Sequence, residues 1–243
     1  MISQFHLNGQ SISLHITPTQ GRQQTKLWFE PGSTVLRARV PGGVLNAELE
    51  AFLKEKSRWI LSTVRKMQPH ENKIIDLKAR MNNGEVLYMG TWRPVSLQNG
   101  KRPSARFLPD GSLKLKGLTT FDADNTLAAV KALAKPYLKR RTMEWAEFTG
   151  DAAKVHRITV RSQQTRWGSC SSRGAINLNW RLALMPPALS DYVIIHELMH
   201  LRQMNHSPAF WNEVARYCPE YKTLRKQVQD FSWSLNLKPS SSR

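Results

Sequence analysis

The segment His196-Glu197-Leu198-Met199-His200, followed six residues later by His206, leaves this chain few readings. On an α-helix, residues four apart lie about 40° apart around the axis and about 6 Å apart along it. His196 and His200 would therefore project from one face and can share one cation. Glu197 sits beside the first imidazole without competing for the ion. A carboxylate there can take a proton from a metal-activated water and return it to a leaving amine. Zinc brings the pKa of such a water to about 7, so the chemistry runs at neutral pH.

A catalytic zinc site usually has three protein ligands and keeps one position for water. His206 is the candidate third ligand. Asn205 suits the left-handed residue that ends a helix. Ser207-Pro208 suits the start of the next, with Ser207 as N-cap and Pro208 in the first helical position. Glu213 and Glu220, further on, are the alternatives and would give a two-histidine, one-glutamate site. The plainer alternative makes His196 and His200 ordinary helix histidines, with Glu197 in a salt bridge. Against it, Tyr192-Val193-Ile194-Ile195 and then Leu198, Met199 and Leu201 make the segment strongly apolar. Polar groups inside a buried helix are costly unless something pairs with them.

At 243 residues, 40% of them hydrophobic, the chain is long and apolar enough for one large domain or two small ones. No run is long enough to span a bilayer, and Met1 to His6 lacks the features of a signal peptide. Two cysteines, Cys170 and Cys218, fit a reducing compartment. The expected location is cytoplasmic. Cys170 is weighed as a nucleophile or ligand and read as a small half-buried residue. The net charge is +18, shared as +8 over residues 1–125 and +10 over residues 126–243. An excess of that size attracts polyanions, nucleic acid first, or is simply a solvated basic surface.

Strand-like alternation runs through Ile12–Ile16, Leu27–Phe29 and Val35–Val40, with turns at Pro31-Gly32 and Pro41-Gly42-Gly43. A helix follows over about 47–67, ended by Pro69. Strand signals return at Val86–Met89, Arg93–Leu97, Ala105–Leu108 and Leu113–Leu115. A helical pattern covers about 125–148, where Pro136 should kink or divide it and Gly150 follows its end. Arg157–Arg161 and Ala175–Trp180 alternate as strands around a polar loop at 164–174. Pro186-Pro187 leads into the metal helix at about Ser190, and a last helix spans about 222–231. No sequence repeat is visible, and residues 239–243 form a frayed tail.

The strand at 175–180 could form a sheet edge, to which a peptide substrate adds as an extra strand, or lie inside its sheet. Arg157, Arg161, Arg166, Arg173 and Arg181 make the surrounding module locally basic. Tyr192, Tyr217 and Arg166 are candidate oxyanion donors.

Arg166-Trp167-Gly168-Ser169-Cys170, Ile176-Asn177-Leu178-Asn179-Trp180, the histidine motif, Asn205-His206-Ser207 and Phe210-Trp211 together resemble the YgjP-like (domain of unknown function 45) metallopeptidases. Those proteins are zincin-type, with kinship to the SprT and Wss1 proteases. The resemblance is specific over about residues 135–235 and weaker toward the N-terminus. It departs before about Leu27. It implies zinc ligands at His196, His200 and His206, a catalytic Glu197 and a polypeptide substrate. The SprT and Wss1 kinship adds proteolysis of DNA-bound proteins by analogy. The expected fold class is α+β. A β-rich N-terminal domain with one long helix, residues 1–124, precedes a zincin-like α+β metallopeptidase domain, residues 125–238. The expected function is that of a zinc metalloendopeptidase. Its alternative is a metal-dependent nuclease or a nucleic-acid-associated protein with a zinc site.

Overall fold

The computed structural model describes residues 2–19, 24–30, 33–42, 47–100 and 104–237. The expected turn at Pro31-Gly32, Gly43 of the following turn and the tail at 239–243 lie outside the described residues. The fold is mixed α+β, with three small mixed sheets. The chain divides into two compact units, Met1–Asp76 and Leu77–Arg243. That division falls within a helix.

The first unit opens with a hairpin. β1 (Ile2–Leu7) pairs antiparallel with β2 (Gln10–Thr19). Asn8 and Gly9, with φ of 48° and 79°, supply the two left-handed residues that a tight two-residue hairpin needs. β2 then runs parallel to β4 (Leu36–Pro41), which pairs antiparallel with β3 (Lys26–Phe29), giving the order β1-β2-β4-β3. Alternation puts Ile12, Leu14, Leu36, Ala38 and Val40 in one core with Leu49, Leu53, Ile60 and Val64.

Those last four belong to α1 (Ala47–Glu55) and α2 (Ser57–Asn82). The single helix expected over 47–67 is thus two, and the second runs through Pro69 to Asn82. Tertiary contacts on both sides outweigh the proline. Glu71 accepts hydrogen bonds from the Thr34 amide and hydroxyl, and Leu77 and Met81 are buried.

The second unit repeats the strand plan of the first. β5 (Glu85–Tyr88) and β6 (Thr91–Gln98) form a hairpin over Met89 and Gly90, again both left-handed, with φ of 50° and 74°. β6 runs parallel to β8 (Leu113–Lys116), which pairs antiparallel with β7 (Ser104–Phe107). The order β5-β6-β8-β7 has the same directions as the first sheet, a repeat that the sequence does not display. The hairpin tip is tied to the segment ahead of the helix that carries His196, Met89 N donating to Ala183 O at 2.7 Å and Gly90 N to Leu184 O at 3.0 Å.

α3 (Ala123–Thr149) is capped by Asp122, which accepts from Asn125 N, and ends at Gly150 with φ of 77°. Pro136 lies inside it without dividing it. Leu127, Val130, Ala134 and Leu138 form its fully buried stripe. The third sheet has the order β10-β11-β9, made of β9 (Arg157–Arg161), β10 (Gly168–Cys170) and β11 (Ala175–Asn179). β11 is therefore central, not an edge. It runs parallel to β9 on one side and antiparallel to β10 on the other. The supposed loop after Arg166 supplies that extra strand. α4 (Pro187–Met199), α5 (Pro208–Tyr217) and α6 (Tyr221–Asp230) complete the unit. Among the described residues, no helix is long and apolar enough to cross a membrane.

Candidate metal centre

α4 begins with Pro187, whose fixed φ suits a first helical turn. Leu189, Tyr192, Val193, Ile194, Ile195, Leu198 and Met199 bury most of its circumference, as an interior helix requires. Glu197 and His200 are only 6% and 9% exposed. The helix stops at Met199, and His200 keeps a right-handed conformation just past it. The imidazoles of His196 and His200 lie 5.0 Å apart, centre to centre.

The chain then turns back. Asn205 is not left-handed as expected, since among the described residues only Asn8 and Met89 are positive-φ non-glycines. Instead its side chain accepts from Ser207 N at 3.3 Å. Ser207 occupies the N-cap position of α5 without a side-chain capping bond. This joint brings the His206 ring to 5.0 Å from His196 and 4.8 Å from His200. Ligand-capable atoms of the three histidines all lie within 4.8 Å of one another, and the two Nε2 atoms of His196 and His206 are 3.1 Å apart.

The donor set fits a cation. His200 Nδ1 sits 3.1 Å from Gln203 O. Only an N–H can make that bond, so the proton is on Nδ1 and Nε2 offers its lone pair. Burial, together with His200, His206 and Arg225, holds the His196 imidazole down to about 3, so it is neutral at physiological pH. Its Nδ1 is buried with no hydrogen-bond partner. Imidazole nitrogens facing one another, 3.1 Å apart, match the spacing of ligands around a tetrahedral zinc, where N···N distances are about 3.3 Å.

Aromatic rings hold the cluster in place. Phe210, fully buried, has its ring 4.5–4.9 Å from all three imidazoles. Trp211 stacks on His206 at 5.6 Å, and Tyr221 stacks on Trp211 at 5.2 Å. Arg202 braces the return loop. Its guanidinium pairs with Asp151 at 2.8 Å and with Glu213, and also donates to Thr149 O and the Tyr217 hydroxyl. Glu213 is thereby engaged away from the cluster. Glu220 stands ahead of α6 and is not in the cluster either.

Burial pushes the Glu197 carboxyl up to about 8, and Arg166 only partly offsets it. Gly168 of β10 lies directly against it: a Cβ there would fall 2.5 Å from Glu197 Oε1. The free edge beside the carboxylate thus belongs to β10. A pocket of about 300 Å³ opens here, walled by Arg166, Trp167, Tyr192, Val193, Arg225 and Val228, with His196 and Glu197 at its side.

The other residues singled out in the sequence fall elsewhere. Cys170 is half-buried in β10, and burial with the nearby Glu197 pushes its thiol up to about 11. Cys218 is buried at the end of α5. Tyr217 donates its hydroxyl to Thr149 O and accepts from Arg202, so it belongs to the brace. Arg157, Arg161 and Arg173 are exposed. Arg181 corrects the picture of a basic surface. It is 1% exposed and donates to Gln163 O, Asn179 Oδ1 and Leu237 O. Phe210, Trp211, Arg202 and Gly168 were not legible as site residues from spacing. Only the resemblance marked the two aromatics.

The family model for the YgjP-like metallopeptidase domain matches residues 23–231. A search of curated proteins gave no match. Among solved structures, the metallopeptidase zymogen abylysin of Pyrococcus abyssi is similar. It is 22% identical, and the match covers 38% of the present sequence and 92% of abylysin, at a TM-score of 0.35.

Proposed function

The chain belongs to the YgjP-like metallopeptidase family, and from that premise we propose that it is a zinc-dependent endopeptidase. In this reading His196, His200 and His206 hold the zinc, and Glu197 is the proton carrier. When bound, zinc supplies Lewis acidity that polarises a peptide carbonyl and acidifies a water. Glu197 takes a proton from the attacking water as the C–O bond forms. It then delivers that proton to the amide nitrogen as the C–N bond breaks. β10 offers its free backbone edge to an extended peptide, and Tyr192 or Arg166 meets the developing oxyanion.

The observation that carries the reading is the convergence of three imidazoles beside one buried carboxyl. The test pairs metal analysis with hydrolysis of an unfolded protein. Glu197→Gln should retain about one zinc per protein molecule and lose at least about 10²-fold in rate. Full activity in that variant would overturn the assignment. The zincin label and a cytoplasmic location belong to the same reading, the latter supported by two free thiols. A nucleic-acid contact is a second reading, favoured by the +18 charge.

A further inference from the structure

The pocket beside Glu197 combines two kinds of wall. Trp167, Val193 and Val228 are apolar, whereas Arg166 and Arg225 bring guanidiniums. At about 300 Å³ it stands at the small end of ligand sites and suits one side chain rather than a cofactor. Arg225 lies over the Trp211 ring at 5.0 Å, which orients it. Neither guanidinium forms an ion pair among the described residues, unlike Arg141 and Arg202 in the same unit. Glu197 is the one carboxyl in the lining, so the pocket keeps an excess of positive charge even when that group is ionised. The peptidase reading gives Arg225 no task, and Arg166 only the one for which Tyr192 is the alternative.

We infer that this pocket receives a carboxylate carried by the polypeptide substrate next to the bond that is cut, with Arg166 and Arg225 as its specificity determinants. The methylenes of a glutamate fit the Trp167 and Val228 walls, and its carboxylate meets the guanidinium forks. A free C-terminus of the substrate offers the same group. The inference rests on the peptidase reading for the word substrate, but not for the binding itself.

Binding is measured on full-length Glu197→Gln protein with zinc, so that turnover does not intervene. Trp167 in the wall provides a fluorescence signal, and calorimetry an independent one. One peptide capped at both ends carries glutamate at a single scanned position. A second carries glutamine there, and a third is the glutamine peptide with a free C-terminus. The glutamate peptide should bind about tenfold more tightly than its glutamine twin at one position, as a charge-assisted bond implies. Tighter binding of the third peptide instead would assign the pocket to a substrate terminus. Adding Arg225→Gln or Arg166→Gln should reduce the preference to less than about threefold. Equal affinity for all three peptides, no binding of any, or a preference that survives both substitutions overturns the inference. Mass spectrometry of an unfolded protein digested by the unsubstituted enzyme separates the two readings. Cuts without an acidic bias overturn the pocket assignment and leave the peptidase standing. Carboxylate-selective binding with no cutting does the reverse.

Discussion

Gly168 lies closer to the Glu197 carboxyl than any side chain allows. A methyl there would meet Glu197 Oε1 at 2.5 Å and Cγ at 2.7 Å. Gly168→Ala should therefore displace the carboxyl rather than the histidines. We expect about 1–3 kcal/mol of lost stability and at least a tenfold lower hydrolysis rate, with zinc content unchanged. Zinc loss in proportion to activity would place the damage at the ligands instead. Asp151 sets a different kind of residue-scale dependence. Burial pushes its carboxyl up, but hydrogen bonds from Arg202 and Lys154 outweigh burial and hold it below the ordinary carboxylate range. The ionised form is thus favoured in the folded protein. Its stabilising contribution is complete above the unfolded value of about 4 and disappears as pH falls through the folded value. Urea midpoints of the unsubstituted protein should fall in that acidic window, and Asp151→Asn should flatten the fall. An unchanged acid limb in the variant would mean that other carboxyls govern it.

Among the elements, α2 shows most plainly what local rules miss. Pro69 is exposed within a 26-residue helix. It has no amide hydrogen to give to Arg65, and its ring crowds that carbonyl. The helix persists because Glu71, Leu77 and Met81 are anchored beyond it. Pro69→Ala removes a strain that packing tolerates, so the melting temperature should rise. The gain should be about 1–2 kcal/mol, less than the full propensity difference because the proline also stiffens the unfolded chain. A lower melting temperature would show that the proline ring itself contributes to stability at this position. The same contrast explains which parts of the candidate site were readable beforehand. His196, Glu197 and His200 share one helical turn, and His206 follows through a short joint, so spacing alone brings them near. β10 escaped because it has three residues and exists through pairing with Leu178, Asn177 and Ile176. Read as loop, it left the place of β11 open between edge and interior. Arg181 escaped for a related reason. An arginine 1% exposed is held by backbone carbonyls from distant segments, including Leu237 O, and spacing carries no trace of them.

The whole molecule uses one strand plan twice, and the basic charge is written into it. β4 reads Leu-Arg-Ala-Arg-Val and its counterpart β8 reads Leu-Lys-Leu-Lys, with the apolar members buried and the cationic ones turned away. Alternation that builds a core on one face thereby leaves a cationic comb on the other. The +18 charge is then a property of repeated architecture as well as of scattered side chains. Polyanions should accordingly bind through phosphate neutralisation, with log affinity falling linearly against log salt. Lys114→Gln combined with Lys116→Gln should flatten that slope by up to about 2, one for each lysine that no longer neutralises a phosphate, and weaken binding alike for all sequences. Both lysines lie outside the histidine cluster, so zinc content and peptide hydrolysis should not change. Fluorescence anisotropy of a labelled oligonucleotide, titrated from low to physiological salt, measures the slope. A slope identical in both proteins would remove the comb of β8 from the contact, and affinity indifferent to salt would remove the polyanion reading itself.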